Sequence, residues 1–208
     1  MNPKFMELAK AKQDRIKNAG YKVFAENTYR KASMQAIADN GSISKALLFH
    51  YFHNKQEFYE YLFQSAIEEL QSNRSIENEV VTDFFVLLEK EIKERFKLMR
   101  EYPLLYRFIV NVYHQNIFDD IGGIREYINQ QTEQKRTMML MRIDSSKFKD
   151  PNDMEIMYDL IYDLASGYYQ KVENDLWTQP HLINQGFQLY IDSLRENYYR
   201  EDLICKKK

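Results

Sequence analysis

The chain is predicted to be all-α, with about nine helices, and three observations lead there. Only six glycines and four prolines punctuate 208 residues. Apolar side chains recur at three- and four-residue spacing, as one face of a helix requires. No apolar/polar alternation bounded by hairpin turns occurs anywhere. At this length the chain fits one or two domains and buries roughly 70% of its unfolded surface, enough for a real core.

The first helix is expected over Lys4 to Glu26, with Ile16, Ala19, Val23 and Phe24 as its buried face. Ser33 then caps a short helix to Asn40, in which Met34, Ile37 and Ala38 form the apolar side. Ala38 is small, as the close crossing of two steeply inclined helices demands. Gly41 and Ser42 supply a turn, Ile43 drops inward, and Ser44 caps a third helix to Tyr51 whose Leu48 and Phe52 point back at the second. That leaves Lys45, Ala46, Leu47, His50 and Tyr51 facing outward, a mixture of phosphate-seeking and groove-contacting groups. Asn54, followed by Glu57 at capping-box spacing, opens a fourth helix to about Gln71. The polar stretch Ser72 to Asn78 reads as a joint between modules, while the helix-turn-helix domain is taken as 1–54 and the remaining helical domain as 55–208.

Five more helices are expected near Val80–Glu101, Leu104–Asn116, Gly122–Ile143, Asp153–Leu176 and Pro180–Tyr199. Pro103, Gly122-Gly123, Asp150-Pro151 and Pro180 separate them. The eighth carries apolar and aromatic residues on more than one stripe, from Met154 and Met157 to Tyr169 and Val172, and so is expected to be buried on two sides. The ninth has a stripe of Ile183, Phe187, Tyr190, Ile191, Leu194 and Tyr198. Gly167 and Gly186 would let neighbouring helices approach closely. Such a pair can join a partner's pair in a four-helix bundle, with Tyr168, Phe187, Tyr190 and Leu194 at the shared face.

Charge divides the chain. Residues 1–55 hold ten cations against four acids, a net of +6, and since the whole chain is −2 the remainder carries −8. A basic end fits a polyanion. No uninterrupted apolar run approaches the about 18 residues that span a bilayer, and the charged N-terminal stretch is not a secretion signal, so a cytoplasmic protein is expected. Cys205, the single cysteine, excludes an internal disulfide and a cysteine metal cluster and reads as an incidental tail thiol beside the basic tail Lys206–Lys208.

From Ile16 to Lys55, the set Ile16, Ala19, Val23, Phe24, Ser33-Met34, Ile37-Ala38, Ile43-Ser44-Lys45, Leu48-Phe49, Phe52 and Lys55 resembles the N-terminal helix-turn-helix domain of TetR-type bacterial transcriptional regulators. Thr28 and Ser42 stand where that family usually has Gly, and Phe49 replaces a common Tyr. The resemblance implies a three-helix DNA-binding domain and a helical regulatory domain. It also implies a homodimer that presents two recognition helices to successive major grooves. Residues expected at the DNA are Ser33, Gln35, Ser44, Lys45, Ala46, Leu47, His50, Tyr51 and Lys55. Lys45 and Lys55 are assigned to phosphates, with Lys55 at the start of the fourth helix.

Regulators of that type typically sense a small, often hydrophobic molecule. Met adapts its shape, and Tyr offers both an apolar face and a hydroxyl. A cavity lined by some of Phe84, Leu88, Tyr106, Val110, Tyr113, Met138, Met141, Tyr158 and Tyr162 is therefore expected to hold a hydrophobic or amphipathic inducer. The net −8 of this region also allows a cation. The alternative is a C-terminal domain that binds a protein partner. An enzyme is not expected: His50, His53, His114 and His181 lack zinc-site spacing, and no phosphate loop, nucleophile elbow or HExxH occurs. No cofactor or metal is called for.

Overall fold

A computed structural model of the chain describes residues 2–73, 81–115, 121–171 and 180–204, with the side chains of 114–115, 169–171 and 180–183 left aside. Among the described residues there are nine α-helices and no strand: α1 (Lys10–Glu26), α2 (Met34–Asn40), α3 (Lys45–Tyr51), α4 (Lys55–Ser72), α5 (Phe84–Glu101), α6 (Pro103–Gln115), α7 (Ile124–Arg142), α8 (Asp153–Lys171) and α9 (Pro180–Tyr198). Most of the joint expected at Ser72–Asn78, the end of the eighth helix near Leu176, Cys205 and the basic tail lie outside the described residues, as do the side chains of His114, Tyr169, Val172, His181 and Ile183. No described helix is long and apolar enough to cross a membrane.

The one helix that differs in kind is the first. It begins at Lys10, and a separate 3-10 turn, Pro3–Phe5, precedes it. Asn2 caps that turn by accepting the Lys4 N–H at 3.0 Å, and Pro3 occupies its first position, where a missing N–H costs nothing. The carbonyls of Met6 and Leu8 in the intervening bend are taken by the Gln13 side chain at 3.1 and 2.8 Å.

Two compact units result, Met1–Ser75 with Lys97–Gln131 and Ile76–Phe96 with Thr132–Lys208. Packing thus divides the chain differently from the 54/55 boundary read from the sequence: α4, α6 and the start of α7 share a core with the helix-turn-helix. In that first unit Phe24, Tyr59 and Phe108 meet edge-on or tilted, with ring centroids 4.8 to 6.1 Å apart. Asn111 on α6 donates to the Ala25 carbonyl at 2.7 Å, supplying a partner for the exposed end of α1. Gly20 lets α1 and α4 close up, because a Cβ there would overlap Leu62 Cδ1 and the Phe58 ring, both fully buried. Each such buried side chain stabilises the fold by about 1.5–3 kcal/mol.

In the second unit Phe84, Phe85, Phe148, Met157, Ile161, Phe187, Ile191 and Tyr199 form the core. Tyr199 ties it together. Its Oη accepts the Phe84 N–H at 3.0 Å and donates to Asp83 Oδ1 at 3.3 Å, while Asp83 Oδ2 takes Lys147 Nζ at 3.0 Å. Burial of Asp83 works against ionisation, but the Val86 N–H and Lys147 outweigh it and hold the carboxyl below its ordinary range.

Candidate nucleic-acid interface

Helices α2 and α3 are built by their caps. Ser33 Oγ accepts the Gln35 N–H at 3.2 Å and Ser44 Oγ accepts the Leu47 N–H at 3.1 Å. Capping uses an oxygen lone pair and leaves each hydroxyl proton available to a phosphate. Ile37, Ala38 and Leu48 are buried beneath, and the turn closes when Ile43 N–H reaches the Ala38 carbonyl at 3.0 Å. Within that turn Ser42 adopts φ 53°, a left-handed conformation that L side chains resist. Ser42→Gly is therefore expected to stabilise the chain by about 1 kcal/mol. A thermal melt reads this as a rise of about 2–4 °C.

Ser33, Gln35, Ser44, Lys45, Ala46 and His50 lie exposed on this pair of helices. Gln35 is steadied by its amide, which donates to Asp39 Oδ1 at 2.7 Å. Lys45 Nζ lies 5.9 Å from the centre of the Phe49 ring. Three expected contacts sit differently. Leu47 is half-buried, leaning on the core of its own unit. Tyr51 does not face outward: it is buried, with Phe5 edge-on at 5.5 Å, because the turn Pro3–Phe5 covers that side of α3.

Lys55 is the third correction. Its ammonium donates to the carbonyls of Tyr29, Ala32 and Arg30 at 2.8, 3.2 and 3.3 Å and lies 4.5 Å from the centre of the Tyr29 ring. Desolvation there pulls its pKa below the ordinary lysine value. A cation committed to three carbonyls and a ring is a clamp between α4 and the loop before α2, not a phosphate ligand. Asn54 does cap α4, accepting the Glu57 N–H at 2.8 Å, while Glu57 Oε2 takes the His53 N–H at 3.2 Å.

The basic surplus is likewise smaller at the surface than in the count. Lys17 is buried against Ser65 and Asp14, and Arg15 Nε donates to the Gly41 carbonyl at 3.0 Å. Exposed cations near α2 and α3 in sequence are Arg30, Lys31 and Lys45, and Lys4 is exposed in the turn that docks on α3. Residues 2–5 contribute a turn whose only signal along the sequence is Asn2-Pro3, a start signature for a short helical turn.

The residues expected to line an inducer cavity are divided between the two units, with Phe84, Leu88 and Tyr158 meeting on one core. Tyr106, Val110 and Tyr113 lie on α6 in the first, and Phe84, Leu88, Met138, Met141, Tyr158 and Tyr162 in the second. Phe84 is buried against Phe85 and Phe148 at 5.1 and 5.9 Å. Met138 and Met141 are 71% and 84% exposed, because Met139 between them is the residue that turns toward the core. Among the described residues these two methionines face outward from their own unit.

At the expected dimer face Phe187 is a core residue, tilted against Tyr168 at 5.4 Å, and Tyr168 and Leu194 are half-buried on the same core. Tyr190 is exposed. Gly186 serves its own chain, since the Tyr168 hydroxyl occupies the space a Cβ would take. The outward apolar residues are instead Ile156 and Leu160 on α8, 62% and 42% exposed, and Leu189 on α9, 72% exposed. Ile156, Leu160 and Gly167 share one helical face, and nothing lies within 4 Å of where a Gly167 Cβ would be.

Residues 16–62 match the model of bacterial regulatory proteins of the tetR family. The N-terminal domain belongs to the TetR family. No curated protein matches the chain in sequence. Among solved structures it is similar to a TetR family transcriptional regulator from Chloroflexus aurantiacus, at TM-score 0.61 and 18% identity, covering 96% of this chain and 99% of that one. A transcriptional regulator from Rhodococcus sp. Rha1 gives TM-score 0.64 at 16% identity, with 92% and 98% covered. MexZ, a repressor responsible for antibiotic resistance in Pseudomonas aeruginosa, gives 0.57 at 16% identity, with 95% and 100% covered. The whole chain therefore has the fold of these regulators, an N-terminal helix-turn-helix followed by a helical domain.

Proposed function

We propose that the chain is a cytoplasmic one-component transcriptional regulator, a homodimeric repressor that binds a roughly palindromic operator and leaves it when a small hydrophobic or amphipathic molecule binds the C-terminal helices. The observation that carries this reading is the exposed strip Gln35, Ser44, Lys45, Ala46 and His50, displayed on capped helices over the buried Ile37, Ala38 and Leu48. Lys45 neutralises phosphate, Gln35 and Ala46 meet base edges, and the Ser33 and Ser44 hydroxyls fix register on the backbone.

Pairing follows from Ile156, Leu160, Gly167 and Leu189, which leave apolar area facing water that a second copy would cover. The repressor role is carried over from MexZ. An inducer acts through its differential affinity for DNA-competent and DNA-incompetent states, so ligand and operator weaken one another reciprocally. The chain acts by binding rather than by catalysis.

Lys45→Ala tests the interface. Operator affinity is expected to fall, affinity for unrelated duplex to fall in parallel, and the slope of log affinity against log salt to shrink by about one unit. An unchanged slope would remove Lys45 from the phosphate contacts. Lys55→Ala is expected to leave the slope as it is, since its ammonium is already committed to the loop carbonyls.

A further inference from the structure

We propose that Asn2 is a positioning residue for DNA reading, the C-terminal clamp of the recognition helix, held in place by Phe5. The inference rests on α3 being the recognition helix, as proposed above, and concerns residues ahead of the family match at 16–62. Seven residues make α3 far too short to hold its own geometry, and its last carbonyls need partners. The Leu48 carbonyl receives the Phe52 N–H at 2.9 Å. Those of His50 and Tyr51 are taken from outside the helix. Asn2 N–H donates to Tyr51 O at 2.7 Å and Asn2 Nδ2 donates to His50 O at 3.2 Å. The same Nδ2 lies 3.4 Å from His50 Nε2, so Asn2 also faces the imidazole of an exposed residue on the reading face.

Asn2 is itself fixed. Its Oδ1 accepts the Lys4 N–H at 3.0 Å and its carbonyl accepts the Phe5 N–H at 3.0 Å. The Phe5 ring is fully buried, edge-on to Phe52, Tyr61 and Tyr51 at 4.9, 5.4 and 5.5 Å. A buried ring thus anchors a polar cap on the end of α3. Losing the Asn2 side chain takes the partner from the His50 carbonyl and the neighbour from its imidazole, so that His50 can leave its place, while the Asn2 N–H stays on Tyr51 O and the core beneath stays filled.

The test is Asn2→Ala in the full-length chain, with a duplex operator selected by the unsubstituted protein. Operator affinity is expected to fall about five- to tenfold, the loss of a helix cap expressed in binding. Affinity for unrelated duplex and the salt slope are expected to stay constant, because no phosphate contact is removed. Amide exchange over Tyr51–His53 in the free protein is expected to quicken by a similar factor. Unchanged operator affinity with unchanged exchange would overturn the inference. So would an affinity loss accompanied by a slope smaller by about one unit, which marks a direct phosphate contact. If the unsubstituted protein selects no duplex, the DNA-reading role itself fails, and exchange alone decides: faster exchange supports the clamp and unchanged exchange overturns it.

Discussion

Glutamate at both Leu160 and Leu189 is expected to leave a folded chain that no longer pairs with a second copy. In the single chain these side chains are 42% and 72% exposed, so the change costs its own fold little, within about 0.5 kcal/mol for a surface site. Buried between two copies, each charge would lack a partner, and that penalty runs to about 3–5 kcal/mol for a broken buried ion. Sedimentation of the double variant should give a monomer with an unaltered melting curve at high dilution. Phe187→Glu is the contrasting variant, since Phe187 belongs to the core of its own unit and a charge there should unfold it. A double variant that sediments as a dimer of unchanged size would move the interface elsewhere.

Phe108→Ala is expected to destabilise the unit that holds the helix-turn-helix by about 3–5 kcal/mol, the usual cost of emptying a fully buried phenylalanine site. Phe108 lies on α6, 46 residues beyond the end of the family match, yet its ring touches Tyr21, Phe24 and Tyr59. Urea unfolding of the full chain, followed by amide exchange resolved to residues 16–62, measures the effect. Exchange in 16–62 that stays at the unsubstituted level would mean that α6 does not support the helix-turn-helix.

What the sequence disclosed well is what depends on neighbours along the chain. Ser33, Ser44 and Asn54 cap the helices they precede, within two or three residues of their partners, and Ala38 and Gly41-Ser42 mark the turn. Along the sequence Lys55 has the look of a phosphate ligand, because a cation at a helix start has that meaning locally. The carbonyls that claim it come from residues 29–32, brought there only by the tertiary fold. Its place on α3 points Tyr51 outward, and its burial comes from Phe5, 46 residues earlier.

In the C-terminal helices composition was legible and phase was not. Met138, Met139 and Met141 look alike in sequence, but only Met139 turns inward. On α9 the stripe containing Phe187 and Ile191 is the core stripe, and Leu189, two residues from each, carries the outward face. A helix with apolar residues on more than one face gives periodicity to both, so the pattern alone does not say which is covered by its own chain.

Selection from a random pool of duplex DNA by the unsubstituted full-length protein, followed by footprinting, bears most directly on the function. Two inverted half-sites, their centres about 34–36 Å or a multiple of that spacing apart, are expected from a symmetric pair of α3 helices in successive major grooves. Enrichment of no sequence, or of a single half-site without an inverted repeat, would contradict a dimeric operator-binding regulator.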